Sequence, residues 1–279
     1  MERFYPKTPG ERAAARHPFF AADRPLVFAH RGGSALAPEN TLAAFEQALA
    51  FGADGLELDV HLSRDGVVVV HHDRTLDRTT NLSGPIAARG ASELARADAG
   101  YAFRAGGAFP FRGRGLGVPA LADVLARCRA CRVIVELKVD TLEMARAAVE
   151  TVRAADALDR VCFGAFGRRV LREVRRLEPA AATSAARAEV RWALYRLRCG
   201  WPRTRAAYGG YQVPERAGRT RIVSPVFVEA AHRASLAVQV WTVDRAADAR
   251  RLLDWGVDAL ITDRPDVMVP LVRQLPAAR

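Results

Sequence analysis

The chain has 279 residues, 50% hydrophobic and 26% charged, enough apolar material for a full core and the wrong composition for a disordered protein. Four cysteines are too few for a disulfide scaffold, no apolar run is long enough to predict a transmembrane helix, and the N-terminus lacks the apolar core of a signal peptide. The net charge of +11 is localised: residues 160–225 hold fifteen arginines against four acidic residues, and the remainder balances. Such a segment would attract phosphates or an anionic membrane surface. A reduced, cytoplasmic protein is expected.

Residues 1–24, with Pro6, Pro9, Gly10 and a short Ala/Arg helix, read as an N-terminal arm before a domain spanning 25–279. Pro25–His30 is a short apolar run that predicts a buried strand. Asn40 or Thr41 then caps a helix whose Leu42, Phe45 and Leu49 repeat at helical spacing, closed by Gly52. Gly55–His61 is the second strand. Asp65-Gly66 before Val67–Val70 predicts a hairpin. Residues 77–118, rich in Gly and Pro, are too irregular for a strand–helix unit and read as an insertion after the second strand. Strand patterns return at Val133–Leu137, Val161–Ala165, Ala180–Ser184, somewhere in 208–223, at Val238–Thr242 and at Ala259–Thr262, with helical patterns between them. Eight strands alternating with helices predict an α/β fold, a closed TIM (β/α)8 barrel. Cys128-x-x-Cys131 lacks a second ligand pair at zinc spacing and reads as a helix end.

Active sites of such barrels lie at the C-terminal ends of the strands. The polar residues predicted there are His30-Arg31, Glu57-x-Asp59, His72-Asp73, Glu136-x-Lys138, Trp241-Thr242 and Thr262-Asp263. Residues two apart on a strand share a face, so Glu57 projects with Asp59 and Glu136 with Lys138. Carboxylates gathered in a barrel mouth need a neutralising charge. Glu57, Asp59 and Glu136 offer an all-oxygen set for one hard divalent cation, Mg²⁺ or Ca²⁺. His30 and His72 can act as general acid and base near neutral pH. Arg31 and Lys138, one of only two lysines, are suited to phosphoryl oxygens. Together these groups point to cleavage of a phosphoryl ester. His71 has the opposite parity to His72 and reads as packing or surface. His61 shares the parity of Glu57 and Asp59 and is left without a role. No nucleotide-binding glycine motif and no Gly-x-Ser-x-Gly elbow are present.

The chain resembles the glycerophosphodiester phosphodiesterase family over His30–Phe45, Gly52–Val60, Asp65-Gly66 and His72–Asn81. Shorter similarities follow at Val118–Leu121, Glu136–Lys138, Gln239–Asp244 and Gly256–Pro265. The resemblance implies a TIM barrel with a small insertion. It implies metal binding by Glu57, Asp59 and Glu136, acid–base roles for His30 and His72, phosphate contacts from Arg31 and Lys138, and Trp241 lining the pocket. Glu39 and Asn40 would order the His30 loop. The implied reaction is hydrolysis of a small glycerophosphodiester to glycerol 3-phosphate and an alcohol. The sequence departs from the family at Gly164–Gly167, where Ser-Phe-Asp is frequent.

Residues 185–221 match nothing in that family. Val190, Ala193, Leu194, Leu197 and Trp201 fall on one helical face, Trp192, Tyr195 and Cys199 on the other, with Arg187, Arg191, Arg196 and Arg198 around them. Two readings stand: an outer barrel helix with a solvated basic flank, or a membrane-facing or lid element over 187–205. The second goes with an alternative activity, a lysophospholipase-D-like phosphodiesterase at a membrane surface. A nucleic-acid-binding protein on an inactive barrel is not expected, because the motif residues are intact and no aromatic–basic stacking motif is present.

Overall fold

The computed structural model describes residues 17–201 and 206–274. Eight parallel strands form the barrel: β1 (Leu26–His30), β2 (Gly55–Leu62), β4 (Arg132–Leu137), β5 (Val161–Gly164), β6 (Ala182–Thr183), β7 (Gly210–Pro214), β10 (Ala237–Trp241) and β11 (Ala259–Thr262). They pair in the order β6-β5-β4-β2-β1-β11-β10-β7, and a parallel bridge between Ser184 and Gly210 links the two ends. This is the expected TIM barrel. Helices α1 (Leu42–Ala50), α3 (Leu121–Arg127), α4 (Leu142–Ala154), α5 (Arg168–Leu177), α6 (Arg187–Arg198), α7 (Pro225–Arg233), α8 (Ala246–Asp254) and α9 (Pro265–Arg273) follow the barrel strands.

Alternation along the strands sorts side chains into two cores. Val27 and Ala29, with Leu56, Leu58 and Val60, face outward into the large cluster under the helices. Leu26 and Phe28, with Ile134, Cys162, Ala259 and Ile261, fill the lumen at its N-terminal end. Phe19 and Phe20, on a 3-10 turn at Pro18–Phe20, complete that lumen cluster and plug the barrel bottom. The Ala/Arg helix expected in the arm lies outside the described residues. Parity then delivers His30, Glu57, Asp59 and Glu136 to the upper lumen, two or four residues beyond the apolar layer.

Between β2 and β4 the chain leaves the barrel. β3 (Val68–Val70) pairs antiparallel with β2, as the Asp-Gly turn predicts. A 3-10 turn at Ile86–Ala88 and the short α2 (Ala91–Leu94) follow. Leu76, Ile86, Leu94 and Val118 bury against Val69 as a separate small core, so the glycine-rich stretch packs without regular structure.

Several sequence boundaries need correction. The sixth strand is only Ala182–Thr183, not Ala180–Ser184, because the Glu178–Ala181 turn occupies its start. The strand within 208–223 is Gly210–Pro214, followed by a hairpin, β8 (Arg216–Ala217) and β9 (Thr220–Arg221). Thr41, not Asn40, caps α1: its Oγ1 accepts from the Ala44 amide at 3.2 Å. Trp201 does not continue the apolar face of α6. The helix ends at Arg198, Gly200 turns the chain at φ +63°, and Trp201 packs on Trp192 and Tyr195.

Candidate active site

The barrel mouth holds a cavity of about 800 Å³ lined by His30, Arg31, Glu57, Asp59, His72, Glu136, Lys138 and Trp241, so all eight predicted site residues meet there. The sheet register explains the meeting: His30 stands beside Glu57, and Asp59 beside Glu136. Gly32, at φ +85°, turns the loop after β1. A Cβ there would come within 2.7 Å of the Ala44 side chain, so only glycine lets α1 pack this close.

Two carboxylates fix the two histidines. Asp263, just after β11, bonds His30 Nδ1 at 2.7 Å and is itself held by Ser34 Oγ at 2.6 Å. Asp73 bonds His72 Nδ1 at 2.6 Å. Each ring therefore turns its Nε2 edge to the cavity, and His30 Nε2 is 3.8 Å from Glu57. The environments differ. Burial opposes charge on His30, but Glu57 and Asp263 outweigh it and raise its pKa. At His72 burial prevails over Asp59 and Asp73, and its pKa is lowered.

The three carboxylates are also unequal. Asp59 is buried, which disfavours its charge, but Lys138 Nζ at 2.7 Å and Arg31 Nε at 3.2 Å hold its pKa below the usual range. Asn40 Nδ2 donates to the same carboxylate at 3.0 Å. Glu57 and Glu136 have no such cation. Burial and the neighbouring acids raise Glu57, and push Glu136 up to about 8. Gly164 leaves Glu136 its space: a Cβ would lie 2.6 Å from its Oε2. Among the described residues, no three His, Cys, Asp or Glu side chains already converge as a metal cluster. Lys138 occupies one side of Asp59, and the three carboxylates face the cavity without sharing a point.

Sequence reading gave no role in the site to three contributors, Arg78, Arg187 and Arg191. Glu39 receives Arg31 at 3.1 Å and Arg78 at 2.7 Å, and Arg78 continues to Asp73 at 2.5 Å. This clamp joins the His30 loop to the His72 loop across 39 residues. Glu39 was assigned only to loop ordering, and Arg78, inside the stretch read as an insertion, gave no separate signal. The α6 residues Arg187 and Arg191 also line the cavity, although their segment matched no family pattern. His61, left without a role, is buried under the site, with Nε2 3.1 Å from the His72 carbonyl; His71 is buried against Thr79. The β2–β3 arm draws His61 away from the lumen despite its parity.

Residues 30–267 match the model of the glycerophosphoryl diester phosphodiesterase family. A glycerophosphodiester phosphodiesterase of Caldanaerobacter subterraneus subsp. tengcongensis is 32% identical, covering 89% of this chain and 98% of its own. The crystal structure of a glycerophosphodiester phosphodiesterase from Agrobacterium tumefaciens is 30% identical, with a TM-score of 0.70 over 88% of this chain and 99% of that one. An Oleispira antarctica phosphodiesterase, solved with the product sn-glycerol-3-phosphate, is 26% identical, with a TM-score of 0.73 over 90% and 98%.

Proposed function

The chain belongs to the glycerophosphoryl diester phosphodiesterase family, and we propose that it hydrolyses small glycerophosphodiesters to glycerol 3-phosphate and an alcohol, with one divalent cation and His30 and His72 as the acid–base pair. The carrying observation is geometric: His30 and His72, each fixed at Nδ1 by a carboxylate, line one cavity with Glu57, Asp59, Glu136, Arg31 and Lys138. Groups whose surroundings push their pKa values apart divide acid from base work. His30, which holds its proton more tightly, is the acid that protonates the departing alcohol oxygen. His72, which holds its proton less tightly, is the base that takes a proton from the attacking water. The O–P bond to water forms as the O–P bond to the alcohol breaks, and one proton passes to each side. Lys138 and Arg31, on either side of Asp59, present positive charge to the phosphoryl oxygens.

The donor chemistry fits a hard cation. Glu57 and Glu136 are buried carboxyls with no lysine or arginine salt bridge among the described residues; burial pushes both upward, aided at Glu57 by Asp59 and at Glu136 by Glu57 and Asp59. Glu57, Asp59 and Glu136 would hold Mg²⁺ or Ca²⁺ through oxygen. Bound there, the ion would polarise a phosphoryl oxygen. The test is turnover of glycerophosphocholine and glycerophosphoethanolamine, followed by phosphorus NMR, after exhaustive chelation and after return of Mg²⁺ or Ca²⁺. Glycerol 3-phosphate formed only with the ion supports the reading. Full turnover in excess chelator removes the cation from it.

A second reading, contact of the 187–205 region with an anionic membrane and a lysophospholipid substrate, is favoured by one observation. Trp192, Tyr195 and Trp201 are each about half exposed and pack on one another at 5.6–6.1 Å. Aromatic rings beside arginines suit a lipid headgroup layer. Faster cleavage of lysophosphatidylcholine than of glycerophosphocholine, with vesicle sedimentation lost in Trp192→Ala/Tyr195→Ala, would select it over the soluble substrate.

A further inference from the structure

The cavity is larger than a glycerol phosphate needs, and its far side is chemically unlike its floor. The floor carries the histidines, the carboxylates, Arg31 and Lys138. The lining also includes an apolar belt of Phe166, Val190, Leu194, Ile222 and Trp241, with Arg187 and Arg191 from α6 and Arg216 from the β8–β9 hairpin.

These three arginines are exposed, and among the described residues none has a carboxylate partner, whereas the floor cations Arg31 and Lys138 both hold Asp59. The nearby acids are turned elsewhere. Glu189, the acid of α6, is bound by Arg175 at 2.8 Å and caps the helix through the Ala186 amide. Glu215, next to Arg216, is bound by Arg251 at 2.5 Å. The hairpin supplies a second observation. Arg216 stands directly across from Arg221 in the β8–β9 register. Like charges opposed across a strand pair destabilise it; the Arg221 guanidinium lies over the Trp255 ring at 5.7 Å, and Arg216 is the one of the two that lines the cavity. Unneutralised guanidinium groups around one cleft focus its field outward toward anions, and each offers the planar fork that grips phosphate or carboxylate.

We propose that Arg187, Arg191 and Arg216 form a second anion subsite that selects glycerophosphodiesters whose alcohol carries its own phosphate or carboxylate. The inference rests on the diesterase reading above, with the scissile phosphate on the floor. The alcohol crosses the apolar belt, and its anion ends between α6 and the hairpin. The chemical class follows: the alcohol product is an anion, and the enzyme is selective at the end of the substrate that leaves.

The test uses two substrates with the same glycerol phosphate, one with choline and one with an ethanol phosphate monoester as the alcohol. At low salt kcat/KM for the anionic diester should exceed that for the choline diester about tenfold, carried by KM, since three exposed charge pairs contribute a few tenths of a kcal/mol each. The preference should fall as salt screens it. In Arg187→Gln/Arg191→Gln/Arg216→Gln the ratio should collapse to about one, with thermal unfolding checked to exclude misfolding. A wild-type ratio near one, or a preference that the triple substitution leaves in place, overturns the subsite.

Calorimetric binding of both diesters to the His30→Ala protein separates this proposal from the catalytic one. Binding preference without turnover of either diester in the wild type upholds the subsite and sinks the hydrolytic reading. Equal binding sinks the subsite alone. A further arm uses vesicles of anionic phospholipid: sedimentation abolished by the triple substitution, without preference for the anionic diester, assigns these arginines to a membrane surface and overturns the subsite.

Discussion

His30 and His72 are built alike: a carboxylate one or many residues away fixes Nδ1, and the opposite edge of the ring meets the cavity. Their difference is the charge nearby, with Glu57 3.8 Å from the His30 ring and no carboxylate so close to Nε2 of His72 among the described contacts. General acid–base groups contribute about 10²–10⁴-fold. His30→Ala and His72→Ala should each lower kcat by that order in steady-state assays while thermal unfolding stays near wild type. Asp263→Asn should lower kcat less, about tenfold, and move the alkaline limb of the pH profile to lower pH, because Asp263 orients His30 and favours its protonated form. A variant of His72 with more than half of wild-type kcat would remove that residue from the reaction.

The loop elements depend on a single guanidinium. Arg78 bridges Glu39 and Asp73, and its removal would free both the Arg31 side and the His72 side of the mouth. Burial opposes charge on both acids, but Arg78 hydrogen bonds hold each pKa below its ordinary value. A depressed carboxylate pKa stabilises the fold above the unfolded value and loses that contribution as pH falls through the folded one. Arg78→Ala should therefore unfold at lower temperature than wild type at pH 7, by about 1–2 kcal/mol since Arg78 is half exposed. The gap should shrink below about pH 4, and kcat should drop with it at pH 7. At the other end of the barrel, the Pro18–Phe20 turn seats Phe20 against Gly209, where a Cβ would lie 2.3 Å from the ring. Gly209→Ala should displace the plug and cost about 1–3 kcal/mol in urea unfolding, while Phe20→Ala should cost about 3–5 kcal/mol. Equal stability of both variants with wild type would mean that the plug contributes nothing to the barrel.

For the molecule as a whole, one cavity gathers unlike charges: Glu57, Asp59 and Glu136 together with Arg187, Arg191 and Arg216. A ligand that binds only the folded state raises its stability in proportion to the logarithm of its concentration. Mg²⁺ or Ca²⁺ at about a hundredfold excess over its dissociation constant should raise the melting temperature by about 5–10 °C. Glu57→Gln and Glu136→Gln should abolish that rise, and the readout needs no turnover. An equal rise in both variants would place the ion elsewhere.

What the sequence determined by itself follows from short-range physics. Alternation placed Glu57 with Asp59 and Glu136 with Lys138 on single faces, because side chains on a strand repeat every two residues. The strand–helix rhythm specified the barrel, and the barrel put those faces at one mouth. Tertiary structure decided what depends on distance between segments. The opposite displacement of the His30 and His72 pKa values comes from Glu57 and Asp263, on other strands and loops, which overcome the deeper burial of His30, whereas burial prevails at His72. The same is true of the Glu39–Arg78–Asp73 clamp and of Lys138 on Asp59. His61 shows the limit of parity, since a strand that bends out of the barrel keeps its alternation but changes what its faces meet. The arginines of α6 are the clearest case. Composition located a basic segment, but only the packing of α6 and the hairpin over the mouth turned part of that charge into the cavity, because Coulombic effect depends on separation in space and not in sequence.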